Sequence, residues 1–102
     1  MMASRQLNLL TITFFETAQN YMNLKMYKAA SIYYELESMI QPENYQINYR
    51  LAQIYALDND IKNSLVSLEK AIKHGYKNRQ SIEKDPTFKP LVNEKRFKEN
   101  FS

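Results

Sequence analysis

Apolar residues recur along this chain at helical spacing in four blocks. Leu7, Leu10, Phe14, Thr17 and Tyr21 share one face of a helix expected from about Ser4, its N-cap, to about Asn23. The β-branched run Thr11-Ile12-Thr13 favours a strand on propensity, but a strand there has no partner in the rest of the chain. A second helix, about Tyr27 to Ile40, stops ahead of Pro42, which disfavours the α conformation at Gln41. A third, about Asn44 to Leu57, turns Ile47, Leu51, Ile54 and Tyr55 to one side. Asp58-Asn59-Asp60 then makes a turn, with Asp60 capping a fourth helix whose apolar stripe is Ile61, Leu65, Leu68 and Ile72. That helix ends at His74-Gly75, where the chain's single glycine supplies a left-handed residue.

The blocks themselves repeat. A step of 34 residues carries Phe15 onto Tyr49, Ala18 onto Ala52, Gln19 onto Gln53 and Tyr21 onto Tyr55. The same step carries Ala30 onto Ser64, Ile32 onto Val66 and Tyr34 onto Leu68. A period of that length belongs to units of two antiparallel helices, stacked so that neighbours bury a continuous core. Beyond Gly75 the pattern is expected to fail. Arg79–Glu83 can form a short turn of helix, and Asp85-Pro86 reads as an N-cap followed by Pro at the first helical position. Phe88 and Leu91 then face inward, and Asn93 caps a last helix with Phe97 and Phe101 one turn apart. The tail reads as a lid on the exposed face of the last helix pair, because terminal repeats need a cap to stay soluble.

Composition changes little in this picture. The 102 residues make one domain, 44% apolar and 25% charged, with one Gly and three Pro, which argues against disorder over most of the length. The net charge of +3 is concentrated in residues 77–102, which hold seven basic and four acidic groups. The signs interleave there, as on a solvated helical surface, and nucleic-acid binding would need a more one-sided face. Absence of Cys removes disulfides, thiolate chemistry and Cys-based zinc sites, and leaves the redox compartment open. Leu7–Phe15 is the one candidate targeting segment; Asn8, Thr11 and Thr13 interrupt it, and it is far short of the ~20 apolar residues of a membrane span. The expected location is the cytoplasm, with the periplasm or secretion left open.

Chemistry-bearing constellations are sparse. His74 is the single histidine, placed in the last turn of a helix where a cation meets the C-terminal dipole. Asp58-Asn59-Asp60 starts like a calcium loop but lacks the mid-loop Gly and closing Glu, and Lys62 falls at a ligand position. Glu35 and Glu37 are two residues apart on a helix and face different ways. Ser38, Ser64 and Ser67 have no base in any recognisable motif, and one glycine cannot make a phosphate-cradling loop. The expectation is no enzyme, no catalytic residue, no metal and no cofactor.

With small residues Ala18 and Ala30 in one unit and Ala52, Ser64 and Ala71 in the next, the chain resembles the tetratricopeptide repeat (TPR) family. The large motif positions hold Phe14, Tyr21 and Tyr34, then Leu51, Tyr55 and Leu68. Glu37 departs from the small residue of the motif, Asn48 from an aromatic and Tyr76 from a closing Pro. The tail, through Gly75, Asp85, Pro86, Phe88, Leu91 and Phe97, is similar to the "end-of-group" terminus that follows a last TPR. The resemblance implies an all-α, right-handed α-α superhelix: repeat one over about 11–44, repeat two over about 45–76 and a short helical cap over 77–102.

It also implies a protein–protein interaction scaffold whose concave groove is formed by the first helix of each pair. The register puts Ile12, Phe15, Gln19 and Met22 on one side of that groove and Gln46, Tyr49, Arg50, Gln53 and Ala56 on the other. Phe15 and Met22 have an alternative role as core, since apolar residues at helical spacing are more often buried. The places that clamp an acidic C-terminus in part of the family hold Phe15, Gln19, Arg50, Gln80 and Lys84, at most two cations, so apolar and amide contacts are expected instead. The expected partner is another protein or peptide, as a short helix or an extended segment. The alternative is an assembly module that docks onto a larger protein or self-associates as a homo-oligomer, because two capped repeats are near the lower limit of array stability.

Overall fold

A computed structural model describes residues 2–101, and the side chains of residues 13–99. It is helical throughout: α1 Met2–Asn23, α2 Tyr27–Ile40, α3 Tyr45–Leu57, α4 Ile61–Lys73, α5 Arg79–Lys84, a 3₁₀ helix Pro86–Leu91, and α6 Lys95–Phe101. No strand occurs among the described residues. Consecutive long helices pack on one another, α1 on α2, α2 on α3 and α3 on α4, and the tail closes over α3 and α4.

The helix ends show the repeat in backbone geometry. After α1, Lys25 takes φ +58° and the chain folds back with Lys25 N–H donating to Met22 O at 2.9 Å and Met26 N–H to Tyr21 O at 2.8 Å. Thirty-four residues on, Asn59 takes φ +60°, with Asn59 N–H to Ala56 O at 3.1 Å and Asp60 N–H to Tyr55 O at 2.8 Å. Each is a Schellman turn, which satisfies carbonyls that the helix end leaves without partners. α4 closes in the same way at Gly75, φ +124°, with Tyr76 N–H bonded to Ala71 O at 2.9 Å. The side chain of Asp60 caps α4 through Asn63 N–H at 3.2 Å, as the sequence predicts.

Three boundaries differ from expectation. α1 begins at Met2, so Ser4 lies inside the helix and does not cap it. α6 begins at Lys95, which puts Glu94, whose carbonyl accepts Lys98 N–H at 3.1 Å, and not Asn93, in the capping position. The 34-residue register also runs one element further than expected. Asn44 caps α3 through Gln46 N–H, and Asn78, one step later, caps α5 through Ser81 N–H, both at 3.0 Å. A third unit therefore starts in register and stops after six residues, where Pro86 denies the helix a donor. Asp85 restarts the chain as cap of the 3₁₀ helix, its Oδ1 accepting Thr87 N–H at 2.9 Å.

Two hydrophobic clusters fill the interior. The first gathers Ala18, Ala30, Tyr34, Ile47, Leu51 and Ile54, with Phe15, Tyr21, Met22, Tyr27, Tyr33 and Tyr55 packed around it. The second gathers Ala52, Ala56, Leu65 and Leu68 with Ile82, Phe88, Leu91 and Phe97 from the tail. Small residues sit at the helix crossings: Ala18, Ala30, Ala52, Ser64 and Ala71 are all fully buried. Ser64 Oγ donates to Ala52 O at 2.6 Å, which ties α4 directly to the backbone of α3. Arg96 pairs with Glu69, its Nε donating to Oε2 at 3.2 Å, and so holds α6 to α4. The predicted Phe101 contact lies outside the described side chains.

Candidate functional site

A groove of about 540 Å³ lies across the α1 and α3 faces. Phe15 from α1 and Tyr34 from α2 meet edge to face at 5.5 Å and form its apolar end with the buried Ile47. Burial raises the Tyr34 hydroxyl above the ordinary tyrosine value and outweighs the opposing pull of the Arg50 guanidinium. Asn44, Gln46 and Arg50 supply the polar rim, and Tyr49, Gln53 and Tyr76 the far wall. Gln46 and Arg50 are exposed, and Arg50 Nη1 donates to Gln53 Oε1 at 3.1 Å.

The far wall is already committed to the tail. Tyr49 stacks on Tyr76 with ring centroids 4.4 Å apart and planes 8° apart, and meets Phe88 edge-on at 5.6 Å. Its hydroxyl donates to Asp85 Oδ2 at 3.0 Å, and Gln53 Nε2 donates to the same oxygen at 2.8 Å. Burial would raise the Asp85 carboxyl, but hydrogen bonds from Gln53, Thr87 and Tyr49 outweigh it and hold the group below the ordinary aspartate value. Tyr49 is shifted the other way, above the ordinary tyrosine value, by burial and then by its bonds to Tyr76 and Asp85. Tyr76 hydroxyl donates in turn to Ser81 Oγ at 3.1 Å. Groove wall and tail are one hydrogen-bonded unit.

Of the residues expected in the groove, Phe15, Gln46, Tyr49, Arg50 and Gln53 line it. Gln19 does not; it is exposed and spends its amide on Asn23 Oδ1, 3.1 Å away along its own helix. Met22 packs against the first cluster, which is its alternative role as core, and Ala56 is buried in the second. The side chain of Ile12 lies outside the described residues. Sequence reasoning missed Tyr34, Asn44, Ile47 and Tyr76. Asn44 carried a signal, since a residue that caps α3 stands at the mouth of any groove along that helix, whereas Tyr76 enters only because Gly75 reverses the chain.

Among the described residues no cluster of His, Cys, Asp or Glu could hold a metal ion, and no helix is long and apolar enough to cross a membrane. Compared with protein-family models, curated proteins and solved structures, the chain matches none of them.

Proposed function

We propose that this chain is a protein-interaction module of the TPR type, two helical hairpins on a right-handed superhelical path with a capping tail. It takes a peptide or helix segment of a partner in the groove between α1 and α3. The observation that carries the reading is the groove's composition. Aromatic rings and Ile47 form an apolar end, while Gln46 and Arg50, both exposed at the rim, offer amide and guanidinium groups to a ligand backbone.

Because Tyr49 and Gln53 latch the tail, truncating them would test folding and binding at once. The clean pair is Gln46→Ala with Arg50→Ala, both exposed. Peptides selected from a random display library on the intact protein should lose binding at least ~10-fold to the double variant, about 1.4 kcal/mol, while helicity and melting stay unchanged. Equal binding by the variant would move the interaction off this groove. The second reading, docking onto a larger protein or onto another copy, is favoured by Leu24, Met26, Ile32 and Met39, large apolar residues that remain exposed. A concentration-dependent solution mass is its test.

A further inference from the structure

A second cleft, of about 250 Å³, opens elsewhere on the molecule and shares no residue with the groove. Its lining is Ser38 and Pro42 at the end of α2, Asn48 on α3, and Lys70, Lys73 and His74 at the end of α4. None of these residues is acidic. We propose that this cleft binds a doubly charged oxyanion of the phosphoryl type.

The floor of the cleft is polar. Asn48 is only 4% exposed, yet its side chain makes a single long bond, Nδ2 to Asn44 O at 3.4 Å. The amide carries two N–H donors, so its hydrogen-bonding capacity exceeds that one bond. At the rim Lys70 and Lys73, one helical turn apart, make no ion pair among the described residues. Nor does the α4 C-terminus require them. His74 N–H, Gly75 N–H and Tyr76 N–H already satisfy Lys70 O, Ile72 O and Ala71 O, at 3.0, 3.2 and 2.9 Å.

The repeat provides an internal control. One 34-residue step back, Lys70, Lys73 and His74 become Leu36, Met39 and Ile40, so the basic cluster belongs to the second hairpin and is not imposed by the fold. Two ammonium groups match a dianion, whereas a single carboxylate leaves one of them unpaired. Lys ammoniums serve as phosphate-binding point charges without a fixed fork geometry, which suits a tetrahedral anion in a cleft of this size.

The test follows backbone amides by ¹H–¹⁵N correlation during titration with inorganic phosphate at constant ionic strength, with acetate in parallel. Saturable shifts are expected at Asn48 and Lys70–His74 with a Kd of about 1 mM, weakened at least ~10-fold in a Lys70→Gln/Lys73→Gln variant. Both lysines are exposed, so that variant should melt as the parent does. No saturation by ~20 mM phosphate, an unchanged Kd in the variant, or equal binding of acetate overturns the proposal. A phosphoserine peptide and its unphosphorylated twin identify the source. Tighter binding of the phosphopeptide than of phosphate assigns the site to a modified partner, and equal binding assigns it to the free ion.

Discussion

The core of the first hairpin is ringed by half-buried tyrosines; the leucines of the second are covered by added chain. Tyr21 and Tyr33 stack at 5.7 Å, and Tyr55 reaches back from α3 to donate to Glu35, so each ring packs while the residue stays only half-buried. Leu65 and Leu68 of the second hairpin have no such polar end. They are sealed by Ile82, Phe88, Leu91 and Phe97, and no more than 5% of either leucine stays accessible. The same helix-pair backbone thus tolerates an open flank when its residues are amphipathic and needs added chain when they are not.

Removing the added chain is the strongest way to break that contrast. Truncation after Gly75 deletes the four tail side chains, each contributing about 1.5–3 kcal/mol as an upper estimate, and exposes the cluster they covered. It also releases Tyr49 and Gln53 from Asp85. The product should aggregate or lose cooperative melting. Residues 1–75 melting as a soluble monomer at the full-length midpoint would show that the second hairpin stands without its cover.

Equivalent positions sharpen the contrast next. Ala71 and Glu37 are one step apart and both fully buried, but Glu37 brings a carboxylate between α2 and α3. Its Oε1 accepts from Gln41 Nε2 at 2.9 Å, Gln41 Oε1 accepts from Asn44 Nδ2 at 3.1 Å, and Oε2 has no partner. Leaving a buried polar atom unsatisfied costs on the order of 1–3 kcal/mol. Glu37→Met, which keeps the volume and drops the carboxylate, should raise the unfolding free energy by that order, read as a higher urea midpoint at constant slope. A destabilised variant would show that the Glu37–Gln41–Asn44 chain returns more than the orphaned oxygen costs.

These residues also show how far the sequence could be read. The helices were legible because apolar spacing, Asn44, Asp60 and Gly75 act locally, within a turn or two of where they stand. Glu37 was visible as a departure from a small residue, but its burial is not written in its neighbours. The latch was invisible for a different reason. Tyr49 and Asp85 are 36 positions apart, and Tyr49 by its spacing reads as a groove residue. Only the docked tail converts it into a structural one. Ser4 misleads because a good capping residue marks a helix start only where no helix precedes it, whereas Asn93 lies in the turn one residue ahead of the cap.

The latch gives the second hairpin a pH response that the first lacks at this position. Asp85 is held below the usual aspartate range, so its ionised form stabilises the folded state. That contribution is fully present above the unfolded value of about 3.9 and is lost as pH falls through the lower folded value. Melting temperature should drop as pH is lowered below about 4, and Asp85→Asn should flatten the part of that drop due to the latch. An unchanged acid limb in the variant would place the acid sensitivity on other carboxylates.

The smallest expected effect compares the two hairpin turns. Lys25 and Asn59 both hold left-handed backbone, φ +58° and +60°, at the same step of the same turn. A left-handed conformation costs an L-residue roughly 1–2 kcal/mol, and glycine escapes it but surrenders about 0.5–1 kcal/mol in unfolded-state entropy. For Lys25, with no side-chain group suited to the conformation, Lys25→Gly should gain up to ~1 kcal/mol. Asparagine tolerates this region better, because its short amide can bond locally, so Asn59→Gly should gain less or nothing. Both substitutions leave the Schellman bonds in place, since these use backbone atoms alone. Urea midpoints at a constant slope decide it: an equal gain at both sites, or a larger one at Asn59, would mean that side-chain tolerance does not distinguish the turns.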